Sequence, residues 1–151
     1  MASTSSILVR HLGEKRFTAR MENDETTALR SGEFPGTSPM DHLLIGLAGC
    51  TGYGIGDILR KMRQDVTDYQ IRVRGALSEE APRVWITIAV EHIFTGRNLN
   101  ADRVQRAIDL DIATRCGAHA MLAKTAQITH TFQLLAAESA DGIADPLSTS
   151  E

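Results

Sequence analysis

Residues 43–62 form an apolar stretch that nevertheless carries five glycines and one of the two cysteines, Cys50. Ser38 is a suitable N-cap, and Pro39 suits the first position of a helix. Apolar residues then recur every three or four positions, so the pattern predicts one helix over residues 39–63, about six to seven turns long. A helix this apolar must be enclosed by other elements, which makes it the centre of the fold.

The glycines of this stretch predict close packing. Glycine costs about 1 kcal/mol relative to alanine inside a helix, so several of them need a structural use. Gly46, Gly49, Gly52 and Gly56 recur at spacings of three and four and lie along one side. That side would let a neighbouring helix, a sheet or a dimer partner approach the backbone.

Two other interpretations of the stretch are excluded by its spacing. Gly52, Gly54 and Gly56 give G-x-G-x-G, whereas a dinucleotide fingerprint needs G-x-G-x-x-G after a strand, and no Walker A lysine follows. A membrane-spanning helix needs about 20 strongly apolar residues, and this one carries glycines and Asp57. A buried helix of a water-soluble domain is therefore predicted.

The rest of the chain alternates as in β-strands, with two further helices. The predicted strands are 7–12, 16–21, 26–30, 66–78, 83–94 and 127–135. Two more helices are predicted: one that is capped by Asn98, Leu99 and Asn100, and a short one over 118–126. This order predicts an α+β fold, a long central helix packed against antiparallel sheets. A single domain is expected over residues 1–136, and an acidic, Ser-rich, flexible tail over 137–151.

Composition limits the partners and the compartment. The formal net charge is −3 and the chain has no Lys/Arg cluster, so neither nucleic acid nor a membrane surface is an expected partner. The N-terminus has no long apolar run after a basic start, and two cysteines are too few for a disulfide scaffold. We therefore expect a cytoplasmic protein.

The two cysteines have a structural and a chemical interpretation. A free cysteine is often only a small core residue. Alternatively, Cys50 and Cys116 form a redox pair, which requires Cα atoms within about 7 Å. Cys116 precedes a predicted helix and follows Arg115, a position that lowers a thiol pKa. Cys50 has no such local neighbour, and sequence spacing alone does not choose between the interpretations.

Cys116 and His119 also share a helical face, which is compatible with half a zinc site or a Cys–His dyad. A zinc site would need two more ligands, and the other histidines are scattered: His11, His42, His92 and His130. We expect no metal and no cofactor.

Three segments together resemble the OsmC/Ohr family. SPMDHLLIGLAGCTGYGIGDILRKMRQDV is similar to the family's central helix, S-P-M-E-x-x-L-x-A-x-x-G-C-x-x-x-D-V-x-x-I-L. EEAPRVWITIAVEHIFTGRNLNADRVQRAIDL and AMLAKTAQITHTFQL match later family segments, so the resemblance spans residues 38–135. Within this family the sequence looks most like the OsmC-like proteins of the YhfA type.

The resemblance implies an OsmC-like fold, an intertwined homodimer with sites at its interface, and a thiol peroxidase that reduces organic hydroperoxides. By this resemblance Cys50 corresponds to the peroxidatic cysteine and Cys116 to the resolving one. A dithiol reductant such as a lipoyl group would restore the pair by exchange.

The activating residues depart from the family pattern. The well-studied peroxidases of the family have a glutamate directly after the proline, paired with an arginine. Here, as in the S-P-M-E pattern, Met40 follows the proline, and the acid comes one residue later as Asp41. The candidate arginines are Arg10, Arg16 and Arg20, of which we select Arg20. Gly117 and Ala118 follow the second cysteine, where the family has proline and an aromatic residue. The alternative is therefore a non-catalytic OsmC-like module that binds a small hydrophobic ligand or senses redox state.

Overall fold

The computed structural model describes residues 5–13, 16–30 and 38–137. In chain order the elements are β1 (Ile7–Gly13), β2 (Arg16–Met21), β3 (Thr26–Arg30), α1 (Pro39–Lys61), β4 (Asp65–Leu77), β5 (Trp85–Arg97), α2 (Ala101–Thr114), α3 (Gly117–Leu122) and β6 (Gln127–Ala136). Every predicted helix and strand is present, with ends that differ by a few residues. The α+β class with one long helix is confirmed.

The chain forms two compact units, Met1–Ile45 and Gly46–Glu151, and α1 begins in the first and continues into the second. The first unit contains an antiparallel sheet in the order β1-β2-β3. Its register pairs Val9 with Ala19 and Ala19 with Thr27. The single domain over residues 1–136 stays a prediction. The predicted tail lies outside the described residues except for Ala137.

The second unit contains a sheet in the order β4-β5-β6. β4 and β5 form the long antiparallel hairpin that the sequence predicts, whereas β6 runs parallel to β5, with Thr87 opposite Gln127. The prediction of antiparallel pairing is therefore correct for β4–β5 and wrong for β5–β6. The physical reason is the connection: α2 and α3 carry the chain back along the sheet, as a parallel neighbour requires.

A reciprocal capping arrangement starts α1. The Asp41 backbone N–H donates to Ser38 Oγ at 3.1 Å, and the Ser38 N–H donates to Asp41 Oδ2 at 3.2 Å. The helix ends at Lys61 rather than at the predicted residue 63, because Arg63 adopts a left-handed conformation with φ 57°. The Gln64 N–H then bonds back to the Leu59 carbonyl at 3.0 Å and closes the helix end.

The core of the second unit lies where α1 and α2 meet β5. Its buried members are Ile55, Ile58, Leu59, Phe94, Val104, Ala107 and Ile108. Full burial of such a side chain contributes about 1.5–3 kcal/mol, so this cluster fixes α1 against α2 and the sheet. It thereby sets the position of the residues that precede it on α1, including Cys50.

By length and composition alone, α1 is the one helix in the described ranges that could cross a membrane. It has 23 residues, and the mean hydropathy of its apolar window is 1.2. A core helix of a soluble protein meets the same criterion. Only a third of the window is buried within the structure, whereas the ion pairs that Asp57 makes with Arg60 and Lys61 inside the helix favour the core helix.

Candidate redox site

The structure brings Cys50 and Cys116 together within the second unit. Cys50 is on α1 and partly buried, whereas Cys116 is the N-cap of α3 and only 3% exposed. Thr51 Oγ1, adjacent to Cys50, lies 3.2 Å from Cys116 Sγ. The Cys50 thiol is close enough to raise the pKa of Cys116, and both cysteines are free.

Burial determines the state of the Cys116 thiol. Desolvation raises its pKa above the ordinary value, and the hydrogen bonds from Thr51 and the His119 backbone N–H only partly oppose this. The expectation that its position before a helix and beside Arg115 lowers this pKa is therefore wrong. Cys116 is stabilised as a neutral thiol.

Arg115 does not lower the pKa of Cys116, because its guanidinium is paired with Asp57. Its guanidinium Nη2 lies 3.1 Å from Asp57 Oδ2. Asp57 also pairs with Arg60 and Lys61, each at 2.9 Å. Hydrogen bonds from Lys61, Arg60 and Arg115 hold the pKa of Asp57 far below its ordinary value. This ion-pair cluster joins α1 to the end of α2, directly before Cys116.

We expect Asp57→Asn to destabilise the protein at pH 7. A lowered folded-state pKa contributes stability above the ordinary carboxyl pKa and loses it as pH falls through the acid range. The difference in unfolding free energy between wild type and variant should therefore shrink below about pH 4. Urea denaturation at pH 7, 5 and 3 measures it. Asp109→Asn, on exposed α2 surface, is the control; equal losses at every pH in Asp57→Asn would contradict the pairing.

Asp41 and Arg20 both lie in the first unit. The Asp41 carboxylate accepts the Ser38 N–H, so it caps α1. Arg20 lies on the sheet, 3.9 Å from Asp24, and lines a shallow groove of about 240 Å³ with Arg10. Their proposed roles in thiol activation stay predictions.

The glycines of α1 differ in what surrounds them. A Cβ on Gly52 would lie 2.6 Å from Ile71 Cδ1 of β4, and one on Gly54 would overlap the Asp111 carboxylate. Among the described residues, nothing lies within 4 Å of such a Cβ on Gly46, Gly49 or Gly56. The predicted close packing is therefore present at Gly52. The tightest contact on α1 is at Gly54, which was not one of the four glycines predicted to pack closely.

Asp111 is the second partner in that tight contact. It is fully buried, and neither carboxylate oxygen has a hydrogen-bond partner among the described residues. Burial raises its pKa to about 6. The Asp111 backbone carbonyl, in contrast, accepts the N–H groups of Arg115 and Cys116, both at 2.9 Å, and so sets the turn that presents Cys116.

Sequence reasoning missed a row of side chains joined by hydrogen bonds. Tyr69 Oη lies 2.7 Å from His92 Nδ1, and His92 Nε2 lies 3.0 Å from His130 Nδ1. His130 Nε2 lies 3.1 Å from His119 Nδ1. The alternating patterns of the two strands could have indicated that His92 and His130 face the protein interior. Their contact with each other depends on β6 lying beside β5, which the sequence does not show.

A metal site is not formed by these groups. In the described ranges, no three or more His, Cys, Asp or Glu side chains converge as metal ligands. Successive imidazoles instead use different ring nitrogens, so they form a row rather than a shell. His119 bonds to His130 through its ring and to Cys116 through its backbone.

The family model for OsmC-like proteins matches residues 30–131, well over half of the 151-residue chain. The chain belongs to the OsmC-like protein family. Protein YhfA of Escherichia coli K12 is 39% identical over 100 residues, which are 66% of this chain and 75% of YhfA. The resemblance given by the sequence is thus confirmed.

Solved structures share this OsmC-like fold. A hypothetical protein from Aquifex aeolicus VF5 matches with a TM-score of 0.82 at 20% identity, covering 89% of this chain and 98% of that one. An organic hydroperoxide resistance protein from Legionella pneumophila matches with a TM-score of 0.68 at 13% identity, covering 88% and 98%. Organic hydroperoxide resistance proteins are therefore among the chain's structural neighbours.

Proposed function

We propose that this protein is a cysteine-based thiol peroxidase that reduces organic hydroperoxides. The observation that carries the proposal is the meeting of Cys50 and Cys116, which are 66 positions apart in sequence, at one place, where the Cys50 thiol interacts with Cys116 and Thr51 Oγ1 lies 3.2 Å from Cys116 Sγ. The organic hydroperoxide resistance protein among the structural neighbours supports this chemistry.

The reaction follows from two thiols in contact. The Cys50 thiolate attacks one peroxide oxygen, the O–O bond breaks, and the products are a Cys50 sulfenic acid and, after uptake of a proton, an alcohol. The Cys116 sulfur then attacks the Cys50 sulfur, which forms a disulfide and releases water. A dithiol such as a lipoyl group reduces that disulfide by exchange and is itself oxidised to a disulfide.

Burial supports the assignment of the two roles. Cys50 is partly exposed, as a thiol that meets a substrate must be. Cys116 is 3% exposed and has a raised pKa, so it is a poor first nucleophile. A resolving thiol needs only to reach its neighbour. Arg20 and Asp41 remain the proposed activating residues, and alanine variants at these positions test them in the same assay.

A homodimer is part of the proposal. Apolar residues are exposed on β1 and on the start of α1; they are Ile7, Leu8, Val9, Leu12, Leu43 and Ile45. Large exposed apolar patches are typical of interaction surfaces. The cytoplasm, where dithiols stay reduced, is the proposed compartment.

Thiol titration tests the chemistry directly. With stoichiometric tert-butyl hydroperoxide, wild-type protein should lose both free thiols and form an intramolecular disulfide that a dithiol reverses. Cys116→Ser should lose its single remaining thiol to a sulfenic acid, with no disulfide. Thiols that stay unmodified in wild-type protein would reject the peroxidase.

The alternative is a non-catalytic OsmC-like module that binds a small hydrophobic ligand or senses redox state. The observation that favours it is the pairing of Arg115, the cation directly before Cys116 in sequence, with Asp57 rather than with a thiol. Unreactive thiols together with saturable binding of a hydrophobic fluorescent probe would support this alternative.

A further inference from the structure

Tyr69, His92, His130 and His119 form one continuous row of hydrogen bonds across β4, β5, β6 and α3. His92 is fully buried, and the other three members of the row are partly buried. The His92 ring stacks on His130 with centroids 5.3 Å apart, and Tyr69 stacks on Phe94 at 4.3 Å. At its outer end, the partly exposed His119 donates its backbone N–H to Cys116 Sγ at 3.4 Å.

All three imidazoles are neutral at pH 7. Desolvation lowers the pKa of His92 and of His130 to about 4, and it lowers that of His119 as well. A neutral imidazole has one N–H donor and one acceptor nitrogen. Every bond in the row therefore has a direction, and the directions of neighbouring bonds are linked.

Tyr69 decides the direction. If its hydroxyl donates to His92 Nδ1, then His92 donates from Nε2 to His130, and His130 donates from Nε2 to His119. In the opposite direction His92 donates to Tyr69, and the O–H of the half-buried Tyr69 is left without an acceptor among the described residues. Asp111 does not supply one, because neither of its carboxylate oxygens makes a hydrogen bond. A desolvated hydroxyl without an acceptor is unfavourable, so the first direction is favoured.

We infer that Tyr69, His92 and His130 hold His119 as its Nε2–H tautomer, and that this N–H is a hydrogen-bond donor for a negatively charged oxygen at the Cys50–Cys116 site. Among the described residues, Nε2 of His119 is the ring nitrogen of the row that has no hydrogen-bond partner. The inference rests on the proposed function for its ligand, the alkoxide leaving oxygen of an organic hydroperoxide.

The donor stabilises charge and keeps its proton. Desolvation raises the pKa of Tyr69 far above its ordinary value, so the inner end of the row does not release a proton to replace one lost at the outer end. A fixed neutral donor aimed at developing negative charge is an established catalytic device. Tyr69, His92 and His130 are positioning residues, since they act only through His119.

The tautomer is measured by long-range ¹H–¹⁵N correlation spectra of the labelled protein at pH 7, with assignments from single histidine variants. We expect Nε2–H in His92, His130 and His119. Among the described residues Tyr69 is the group that favours one direction, so in Tyr69→Phe, His92 and His130 should lose the single tautomer. Tyr53→Phe, at an 80% exposed position, is the matched control and should leave the spectrum unchanged.

Kinetics test the role at the site. His119→Phe should lower kcat for cumene hydroperoxide about 100-fold with little change in KM, the loss typical of one oxyanion donor. His119→Gln keeps a side-chain N–H and should recover part of it. Tyr69→Phe should lower kcat by a smaller factor, and Tyr53→Phe should not change it.

Several results would overturn the inference. These are Nδ1–H in wild-type His92 or His130, zinc that displaces the N–H protons of the row, and an active enzyme in which His119→Phe keeps full kcat. Failure of the proposed function is a separate result: wild-type protein would then not consume hydroperoxide, while the tautomer spectra would still test the row.

Discussion

Cys50→Ser should consume no cumene hydroperoxide in the presence of a dithiol, a loss on the order of 10³-fold or more in turnover. A serine hydroxyl is a far weaker nucleophile than a thiolate. The structure supports this expectation because Cys50, unlike Cys116, is partly exposed.

Cys116→Ser is the matched variant for this prediction. It keeps a hydroxyl that can bond to Thr51, so the site should stay intact. This variant should still react with one equivalent of hydroperoxide, because Cys50 is present, and then stop as a sulfenic acid. Rapid-mixing measurement of peroxide loss separates the first turnover from the steady state. Unchanged steady-state turnover in Cys50→Ser would exclude the assignment, and a first turnover that Cys116→Ser lacks would exchange the two roles.

Local patterns predicted the elements of this fold well. The capping of α1 depends on Ser38 and Asp41, which are three positions apart, and the central helix follows from short-range periodicity. Alternating β-branched and aromatic residues likewise marked β5. The prediction that the helix ends at residue 63 was wrong because Arg63 adopts a left-handed backbone conformation. Arginine has no special preference for that conformation, which depends on how the chain continues into β4.

The parallel pairing of β6 and the histidine row could not be predicted from local sequence patterns. Both depend on contacts between segments that are distant in sequence: His92 and His130 are 38 positions apart and meet only because β6 lies beside β5. The two cysteines were selected because the family resemblance marked them. No comparable pattern marked Tyr69 or His119, and the pairing of Arg115 with Asp57 was equally hidden.

Gly54→Ala should lower the free energy of unfolding by about 2–3 kcal/mol, the usual cost of overpacking a core. Helix propensity alone predicts the opposite sign, because alanine is favoured over glycine by about 1 kcal/mol. The steric effect should prevail since the new methyl group would overlap the Asp111 carboxylate, which is fully buried between α1 and α2. Equilibrium urea denaturation measures the difference.

Gly56→Ala is the control for helix propensity. A Cβ there meets nothing within 4 Å in the described chain, so this variant should keep or gain stability. The double variant Gly54→Ala/Asp111→Ala tests the cause. Removal of the carboxylate opens space for the new methyl group and also removes a buried, unpaired acid, so the two substitutions should be strongly non-additive. Additive losses would mean that Gly54 is required for a reason other than its contact with Asp111.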